Sequence, residues 1–187
     1  GLGAALSVSA SGALAFRTEV AGGERELVWF DRSGVPVRKV GGPDEAIPLH
    51  PELAPDGRYV AIQRSVSGNT DVWLLETARG ILNPLTFDAA VDDYPVWSPD
   101  AREIVFQSNR TGAFNLYRKS IAGGGVEELL FSTPNCKSPT DWSRDGRFVL
   151  IRRETEKLSF TWAAIGGVKF PTGSTRRLKE ETSEKHD

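Results

Sequence analysis

The sequence predicts an all-β protein built from repeated four-stranded antiparallel sheets, on the basis of two periodic markers. The first marker is a turn that recurs along the 187-residue chain, as Pro55-Asp56-Gly57, Pro99-Asp100-Ala101 and Arg144-Asp145-Gly146. Its aspartates are 44 and 45 residues apart, and a second marker keeps that spacing, namely the aromatic residues Trp29, Trp73, Tyr117 and Trp162. Four short strands in each such period are typical of a β-propeller blade. A β-sandwich, the alternative architecture, would explain the strands but not the strict period.

The third repeat shows most clearly how one blade divides into strands. Residues 94–97 precede the turn, and residues 103–108 alternate between two faces as a strand does. A hairpin and a glycine run then separate two further strands, at 114–119 and 126–131. The turn aspartate can accept a backbone hydrogen bond, and the glycine after it adopts a positive φ without strain. Ala101 departs from this pattern, and a left-handed alanine costs about 1 kcal/mol.

The repeats divide the chain into a predicted propeller domain at 1–170 and a polar tail at 171–187. The four predicted blades lie at about 1–42, 43–88, 89–132 and 133–170. We expect the tail to be disordered, because Leu178 is its only large apolar residue and cannot offset the entropy of ordering. Since the sequence has no methionine, we interpret it as a segment of a larger protein or as a processed chain. The first and last repeats are degraded, so we expect an open arc of a larger propeller.

The composition and the scarcity of reactive residues argue against several functions. Charged residues make up 26% of the chain and the formal net charge is −2, unlike the strongly basic balance of nucleic-acid binders. No apolar run reaches the roughly 18 residues that span a membrane. The histidines His50 and His186 and the single cysteine, Cys136, form no cluster in sequence. The sequence therefore predicts no catalytic residue, no metal and no cofactor, and His50 is interpreted as structural or solvent-exposed.

Residues that build the repeat can be separated from residues in the connecting loops. The predicted repeat-structural residues are Asp56, Gly57, Trp73, Trp97, Asp100, Tyr117, Trp142, Asp145 and Gly146. The possible binding-loop residues are Asp92, Asp93, Asn109 and Arg110. The two adjacent carboxylates also allow a cation site, although calcium takes about six or more oxygen ligands, and a role in the loop entering the blade is favoured.

Several of these segments resemble a known repeat. The resemblance rests on Pro95-Val96-Trp97-Ser98-Pro99-Asp100, on Ile104-Val105-Phe106-Gln107-Ser108-Asn109-Arg110 and on Asn115-Leu116-Tyr117. These segments are similar to the WD-like repeat of TolB-type propellers of bacteria. The stretch from Val8 to about Arg153 also resembles the C-terminal propeller that follows the membrane segment in bacterial eukaryotic-like serine/threonine protein kinases.

The resemblance implies a non-catalytic binding or sensing module in a larger bacterial protein such as a receptor-like kinase. The expected partners are a protein, a peptide or a small ligand at the blade loops, together with the remaining blades of the parent protein. Nucleic acid and membrane insertion of this segment are not expected. Two alternatives stay open, an accessory propeller of a prolyl-oligopeptidase-type hydrolase and a TolB-like periplasmic interaction protein. The resemblance favours an extracytoplasmic or periplasmic location, with a cytoplasmic one as the alternative.

Overall fold

In the part of the chain that the structure describes, the regular elements are β-strands. The computed structural model describes residues 6–8, 14–19, 25–31, 33–44, 46, 49–154, 160–166 and 180–181. The strands are β1 (Leu6–Val8), β2 (Leu14–Glu19), β3 (Arg25–Phe30), β4 (Pro36–Asp44), β5 (Leu49–Leu53), β6 (Tyr59–Val66), β7 (Asn69–Glu76), β8 (Leu82–Pro84), β9 (Asp92–Trp97), β10 (Glu103–Ser108), β11 (Asn115–Ser120), β12 (Glu128–Phe131), β13 (Lys137–Trp142), β14 (Phe148–Glu154), β15 (Phe160–Gly166) and β16 (Glu180–Glu181). The described part of the chain contains no helix with the length and apolar character needed to cross a membrane.

The strands pair in chain order as four antiparallel sheets, which we call blades 1 to 4. Blade 1 contains β1–β4, blade 2 contains β5–β8, blade 3 contains β9–β12 and blade 4 contains β13–β16. The predicted fold class of four-stranded antiparallel sheets is therefore confirmed. Strand β4 runs to Asp44, two residues beyond the predicted blade boundary. Within the predicted tail only Glu180–Glu181 are described, as a two-residue strand beside β15, and the disorder expected at 171–179 and 182–187 concerns residues outside the described ones.

Blade 3 has both of its faces buried, as its sequence pattern requires. On β10, Ile104 and Phe106 belong to the apolar cluster shared with blade 2, and Val105 belongs to the cluster shared with blade 4. All three side chains are 0% exposed. A strand with apolar residues at three successive positions is stable only if both faces of its sheet are covered, and stacking between two neighbouring blades covers them.

An apolar cluster fills each of the three interfaces between successive blades. Ile62 lies in the cluster of blades 1 and 2, Val72 in that of blades 2 and 3, and Val149 in that of blades 3 and 4. Among the described residues, strands of successive blades contact each other, whereas no appreciable contact joins blade 1 to blade 4. The blades therefore form an open, unclosed arc, as the sequence predicts.

The recurring aromatic residues lie on the third strand of each blade, at Trp29, Trp73, Tyr117 and Trp162. Tyr117 packs in the cluster shared with blade 2, and Trp73 packs against the cluster shared with blade 1. These two side chains thus lie on the face of their blade that is turned towards the preceding blade. Trp29 is buried in the cluster that blade 1 shares with blade 2, so it packs towards the following blade instead.

The repeated turns have the hydrogen bonds that their aspartates predict. In each turn the aspartate Oδ1 accepts the N–H of the residue two positions later, at 2.9 to 3.1 Å. Gly57 and Gly146 have φ values of 74° and 72°, and Ala101 has 58°. The methyl group of Ala101 packs in the cluster of blades 2 and 3, whereas a Cβ at either glycine would meet no atom within 4 Å. Burial of this methyl group offsets the left-handed strain at Ala101.

The two tryptophans of the first strands, Trp97 and Trp142, are buried in the apolar clusters between blades. Trp97 and Trp142 are 6% and 5% exposed. The indole Nε1 of Trp97 donates to the carbonyl oxygen of Glu52 at 2.8 Å, which joins blade 3 to the first strand of blade 2. The buried indole N–H of Trp97 thus has an acceptor, and the bond links blade 3 to blade 2.

Candidate recognition site

The two ends of the blades carry different kinds of connection. The first strand of each blade begins at one end, which also holds the hairpin between the second and third strands; we call this the loop end. The opposite end holds the aspartate turns, and we call it the turn end. At the loop end, the N–H of Val91 donates to Asn109 Oδ1 at 2.9 Å, and Asn69 Nδ2 donates to the carbonyl oxygen of Asp88 at 2.8 Å. These bonds tie the connection between blades 2 and 3 to the hairpins on either side.

Arg110 is the central cation of a clamp at the loop end of blade 3. Its Nη2 lies 3.0 and 2.9 Å from the two carboxylate oxygens of Asp92, and its Nη1 contacts Glu127. The guanidinium lies 4.5 Å from the ring centroid of Tyr117, and 3.8 Å separates its Nη1 from Asp88 Oδ2. Burial raises the pKa of Asp92, and its hydrogen bonds with a serine and with Arg110 oppose that rise. The predicted loop residues Asp92 and Arg110 therefore bind each other and hold the loop end in shape.

The equivalent position in blade 4 carries the opposite charge. Lys137 lies 45 residues after Asp92 and is 1% exposed. Its Nζ donates to the carbonyl oxygens of Phe114 and Thr133 at 3.1 and 3.0 Å, and to Asn115 Oδ1 at 2.6 Å. A buried ammonium is tolerated only when such acceptors replace its water. Asp92 thus closes the clamp inside blade 3, whereas Lys137, at the equivalent position, attaches blade 4 to blade 3.

Asp93 is the predicted loop residue whose polar atoms are not all satisfied. Its side chain is 8% exposed and hydrogen-bonds with Gln107, but its buried Oδ1 has no hydrogen-bond partner. Burial is the main cause that raises the pKa of Asp93 to about 6, and the charge of Asp92 adds to it, while the bond with Gln107 opposes it. A buried acceptor without a donor costs about 1–3 kcal/mol, so this carboxyl group is a weak point of the fold.

Three side chains from successive blades meet near the line where the first strands contact one another. His50 of β5 stacks on Tyr94 of β9, with ring centroids 4.0 Å apart and 27° between the ring planes. The guanidinium carbon of Arg152, on β14, lies 5.7 Å from the Tyr94 ring centroid. His50 Nδ1 lies 2.8 Å from Gln63 Oε1, and because an amide oxygen only accepts, Nδ1 carries the proton. We call His50, Tyr94 and Arg152 the axial stack; all three are half-buried.

The backbone is strained at two members of the axial stack. His50 and Tyr94 have φ values of 46° and 51°, in the left-handed region that non-glycine residues rarely adopt. Each precedes a proline, Pro51 or Pro95, and the pairing with the second strand skips a residue there. Proline has no N–H for the ladder, and a β-bulge at such a point redirects the neighbouring side chain. Strain of this kind costs about 1–3 kcal/mol per residue.

Sequence reasoning missed the axial stack, although its signal is periodic. His50 and Tyr94 are 44 residues apart and both precede a proline. Gln63, Gln107 and Arg152 also follow the repeat, at intervals of 44 and 45 residues. Blade 4 thus has an arginine where blades 2 and 3 have glutamines. Among the described residues no group of three or more histidine, cysteine, aspartate or glutamate side chains is placed to hold a metal ion.

Comparison with known proteins agrees with this architecture. Residues 32–186 match the TolB beta propeller domain family. The chain is 31% identical over 139 residues to the uncharacterized peptidase YuxL of Bacillus subtilis, covering 64% of this chain and 21% of that protein. It is 26% identical over 112 residues to the Tol-Pal system protein TolB of Helicobacter hepaticus, covering 59% of this chain and 26% of that protein. The chain thus spans about a quarter or less of these two relatives.

Solved structures show the same fold. The crystal structure of TolB from Acinetobacter baumannii superposes with a TM-score of 0.76 and 17% identity, over 87% of this chain and 40% of that one. The structure of putative TolB from Agrobacterium tumefaciens superposes with a TM-score of 0.74 and 21% identity, over 85% of this chain and 59% of that one. Because the family match extends over most of the sequence and the blades have the same arrangement, this chain belongs to the TolB beta propeller domain family.

Proposed function

We propose that this chain is a non-catalytic recognition module of a larger bacterial extracytoplasmic protein, and that it binds a protein or peptide at its loop end. The observation that carries the proposal is the strained backbone of His50 and Tyr94 at equivalent positions of two blades. Both side chains are half-buried, so they remain within reach of a partner. Strained residues persist where the surrounding structure holds them, and they cluster at binding sites.

The clamp around Arg110 supports the same function. It fixes the connection between blades 2 and 3 from both sides, through Asp92 and Asp88. A surface whose loops are already ordered loses little conformational entropy when a partner binds. Loops on a rigid scaffold are also the usual place for recognition residues.

Cross-linking in the native host tests this proposal. A photoreactive amino acid would replace Val66, an exposed residue in the blade 2 hairpin at the loop end, in the full-length parent protein. The matched control would replace Arg144, which is exposed at the turn end of blade 4. We expect covalent adducts with a specific protein from position 66 and none from position 144. Adducts from neither position, or equally from both, would contradict recognition at the loop end.

The parent protein has two candidate classes. The sequence resemblance supports a receptor-like kinase, in which the propeller would act as an extracytoplasmic sensor. The identity with a relative named as a peptidase supports an accessory propeller of a hydrolase. A fluorophosphonate probe, which labels active serine hydrolases, separates the classes when applied to the full-length parent. Labelling outside residues 1–187 would favour the hydrolase class.

A further inference from the structure

We infer that Asp56 is a site of spontaneous covalent modification, at which aspartate isomerises to isoaspartate, and that the fold protects the equivalent Asp145 from the same reaction. The inference goes beyond the proposed function, since it concerns the turn end and requires no partner. Asp56 and Asp145 are the only aspartates followed by a glycine in the sequence, and both are exposed in aspartate turns. The two turns therefore offer the same chemistry in two different environments.

The reaction at Asp56 involves only its carboxyl group, the next main-chain nitrogen and water. The nitrogen of Gly57 attacks Cγ of the protonated carboxyl and loses its proton, and the hydroxyl leaves as water, which closes a succinimide ring. Water then adds to one of the two ring carbonyls. Cleavage at Cγ restores aspartate, whereas cleavage at the main-chain carbonyl leaves a chain that runs through Cβ, which is isoaspartate. Glycine favours ring closure because it has no Cβ and accepts a wide range of φ.

The attacking nitrogen is held in the same way in both turns. The N–H of Gly57 donates to the carbonyl oxygen of Ala54 at 2.8 Å. The N–H of Gly146 donates to the carbonyl oxygen of Ser143, also at 2.8 Å. Thr77 Oγ1 donates to the carbonyl oxygen of Gly57 at 2.8 Å, but that oxygen takes no part in ring closure. The nucleophile therefore does not distinguish the two sites.

The carboxylate is held differently in the two turns. Its Oδ1 accepts the N–H of the residue two positions later in both, at 2.9 Å for Asp56 and 3.0 Å for Asp145. Asp145 Oδ1 has a second donor, the hydroxyl of Ser143 at 2.6 Å, and Ser143 Oγ accepts the N–H of Phe148 at 2.9 Å. The equivalent residue of the other turn is Ala54, which has no hydroxyl, so Asp56 lacks this second donor.

The second donor slows ring closure at Asp145 for two reasons. Closure turns the carboxyl group towards the main-chain nitrogen and breaks the bond with Ser143, which is a charge-assisted hydrogen bond. That bond is also the main cause that lowers the pKa of Asp145, and an ionised carboxylate has no hydroxyl that could leave as water. The ion pair of Asp145 with Arg147, at 3.9 Å, is exposed and contributes little.

Isomerisation at Asp56 would change blade 2 next to a buried interface. The main chain between β5 and β6 gains one methylene group, and the turn loses the side-chain carboxylate that accepts the N–H of Arg58. These two strands contribute Leu53 and Val60 to the apolar cluster of blades 1 and 2. The modified turn is therefore longer and less firmly held beside that cluster.

Peptide mapping after ageing tests the inference. The folded full chain would be kept at neutral pH for several weeks and then digested with chymotrypsin, which releases residues 54–59 and 143–148. Electron-transfer dissociation in a mass spectrometer distinguishes isoaspartate from aspartate in each fragment. We expect isoaspartate to form about fivefold or more faster at Asp56 than at Asp145, because one hydrogen bond fewer has to break.

Two reciprocal substitutions isolate the serine hydroxyl. Ala54→Ser supplies it beside Asp56 and should slow isomerisation there to the rate at Asp145; the fold accepts a buried serine at this position of blade 3, where Ser98 is 1% exposed. Ser143→Ala should raise the rate at Asp145 to that at Asp56. If either variant fails to fold, the other carries the test. The matched control is Thr140→Ala, which removes a hydroxyl bonded to the carbonyl oxygen of Leu150 in blade 4 and should change neither rate.

Ageing in urea separates the fold from the local sequence. Unfolding removes the hydrogen bonds of both turns, so Asp56 and Asp145 should then isomerise at similar rates. A difference between the sites that persists in urea would overturn the inference. Absence of isoaspartate at Asp56, equal rates at the two sites in the folded protein, or a Ser143→Ala variant that reacts no faster at Asp145 would overturn it as well.

Discussion

Replacing Asp93 with asparagine should stabilise the protein at neutral and alkaline pH. In the folded protein burial raises the pKa of this carboxyl from 3.8 to about 6. A carboxyl with a raised pKa favours folding at low pH, where it is protonated, and its ionisation destabilises the fold progressively as the pH rises from about 4 to about 6. Each pKa unit corresponds to about 1.4 kcal/mol, so the full effect is about 3 kcal/mol. Asparagine has the same shape without the charge, and its amide can keep the bond with Gln107.

The magnitude can be measured by urea unfolding followed through tryptophan fluorescence, at several values from about pH 4 to about pH 8. We expect Asp93→Asn to have nearly the same free energy of unfolding as the unmodified protein at about pH 4, and about 2–3 kcal/mol more at about pH 8. The matched control is Asp141→Asn, at an exposed aspartate on the first strand of blade 4, which should change little at any pH. Carboxylates with lowered pKa values contribute the opposite slope in all three proteins and cancel in the differences; they are Asp31, Glu76, Asp100 and Asp145. A variant that is less stable than the unmodified protein at about pH 8 would refute the reasoning, because Asp93 would then be ionised and favourably paired.

Three further substitutions test the interactions within and between blades, each by chemical unfolding. Arg110→Ala should cost about 3–5 kcal/mol because it leaves Asp92 buried without its cation, whereas Arg79→Ala, at an exposed ion pair, should cost less than about 1 kcal/mol. Similar costs for the two arginines would contradict the clamp. Trp97→Phe removes one hydrogen bond between blades 2 and 3 and should cost about 1–3 kcal/mol, and an unchanged midpoint would mean that the bond does not join them. Ala101→Gly should change stability by less than about 0.5 kcal/mol, because relief of about 1 kcal/mol of strain is offset by the loss of a buried methyl group worth about 0.8 kcal/mol. A gain of about 1 kcal/mol would show that the methyl packing contributes nothing.

The blade architecture can be predicted because its determinants are local and recur. A proline or arginine, an aspartate and a small residue form each turn within a few positions, and the period locates the strands around it. Even the exception is visible in the sequence, since Ala101 occupies a glycine position and does adopt a positive φ. What the sequence does not reveal is that its methyl group packs against the neighbouring blade. That contact depends on residues far away along the chain.

The candidate site is only partly predictable, for the same reason. The loop residues Asp92 and Arg110 stand out by their position, but their pairing depends on how a hairpin folds back against the first strand. From the sequence alone, His50 is interpreted as a structural or solvent-exposed residue, because no other reactive residue is near it in the chain. Its stacking on Tyr94 requires bulges in two strands and the packing of two blades. A search for equivalent residues at intervals of 44 residues pairs the two rings from the sequence alone.

Successive interfaces show how the blades differ while the fold stays the same. Asp71 and Asn115 are equivalent third-strand residues, 44 apart, and they lie near the equivalent first-strand residues Asp92 and Lys137 of the next blade. Between blades 2 and 3 the pair is two carboxylates, so the charge of Asp92 adds to the burial that raises the pKa of Asp71, and a cation from the hairpin is needed. Between blades 3 and 4 the pair is an amide and an ammonium, which hydrogen-bond directly. Removing the ammonium of Lys137 alone would leave three acceptors between blades 3 and 4 without their donor, so this interface depends on the cation that blade 4 itself supplies. The second-strand position also varies between blades, from Gln63 and Gln107 to Arg152, whose guanidinium carbon lies 5.7 Å from the ring centroid of Tyr94 in the preceding blade.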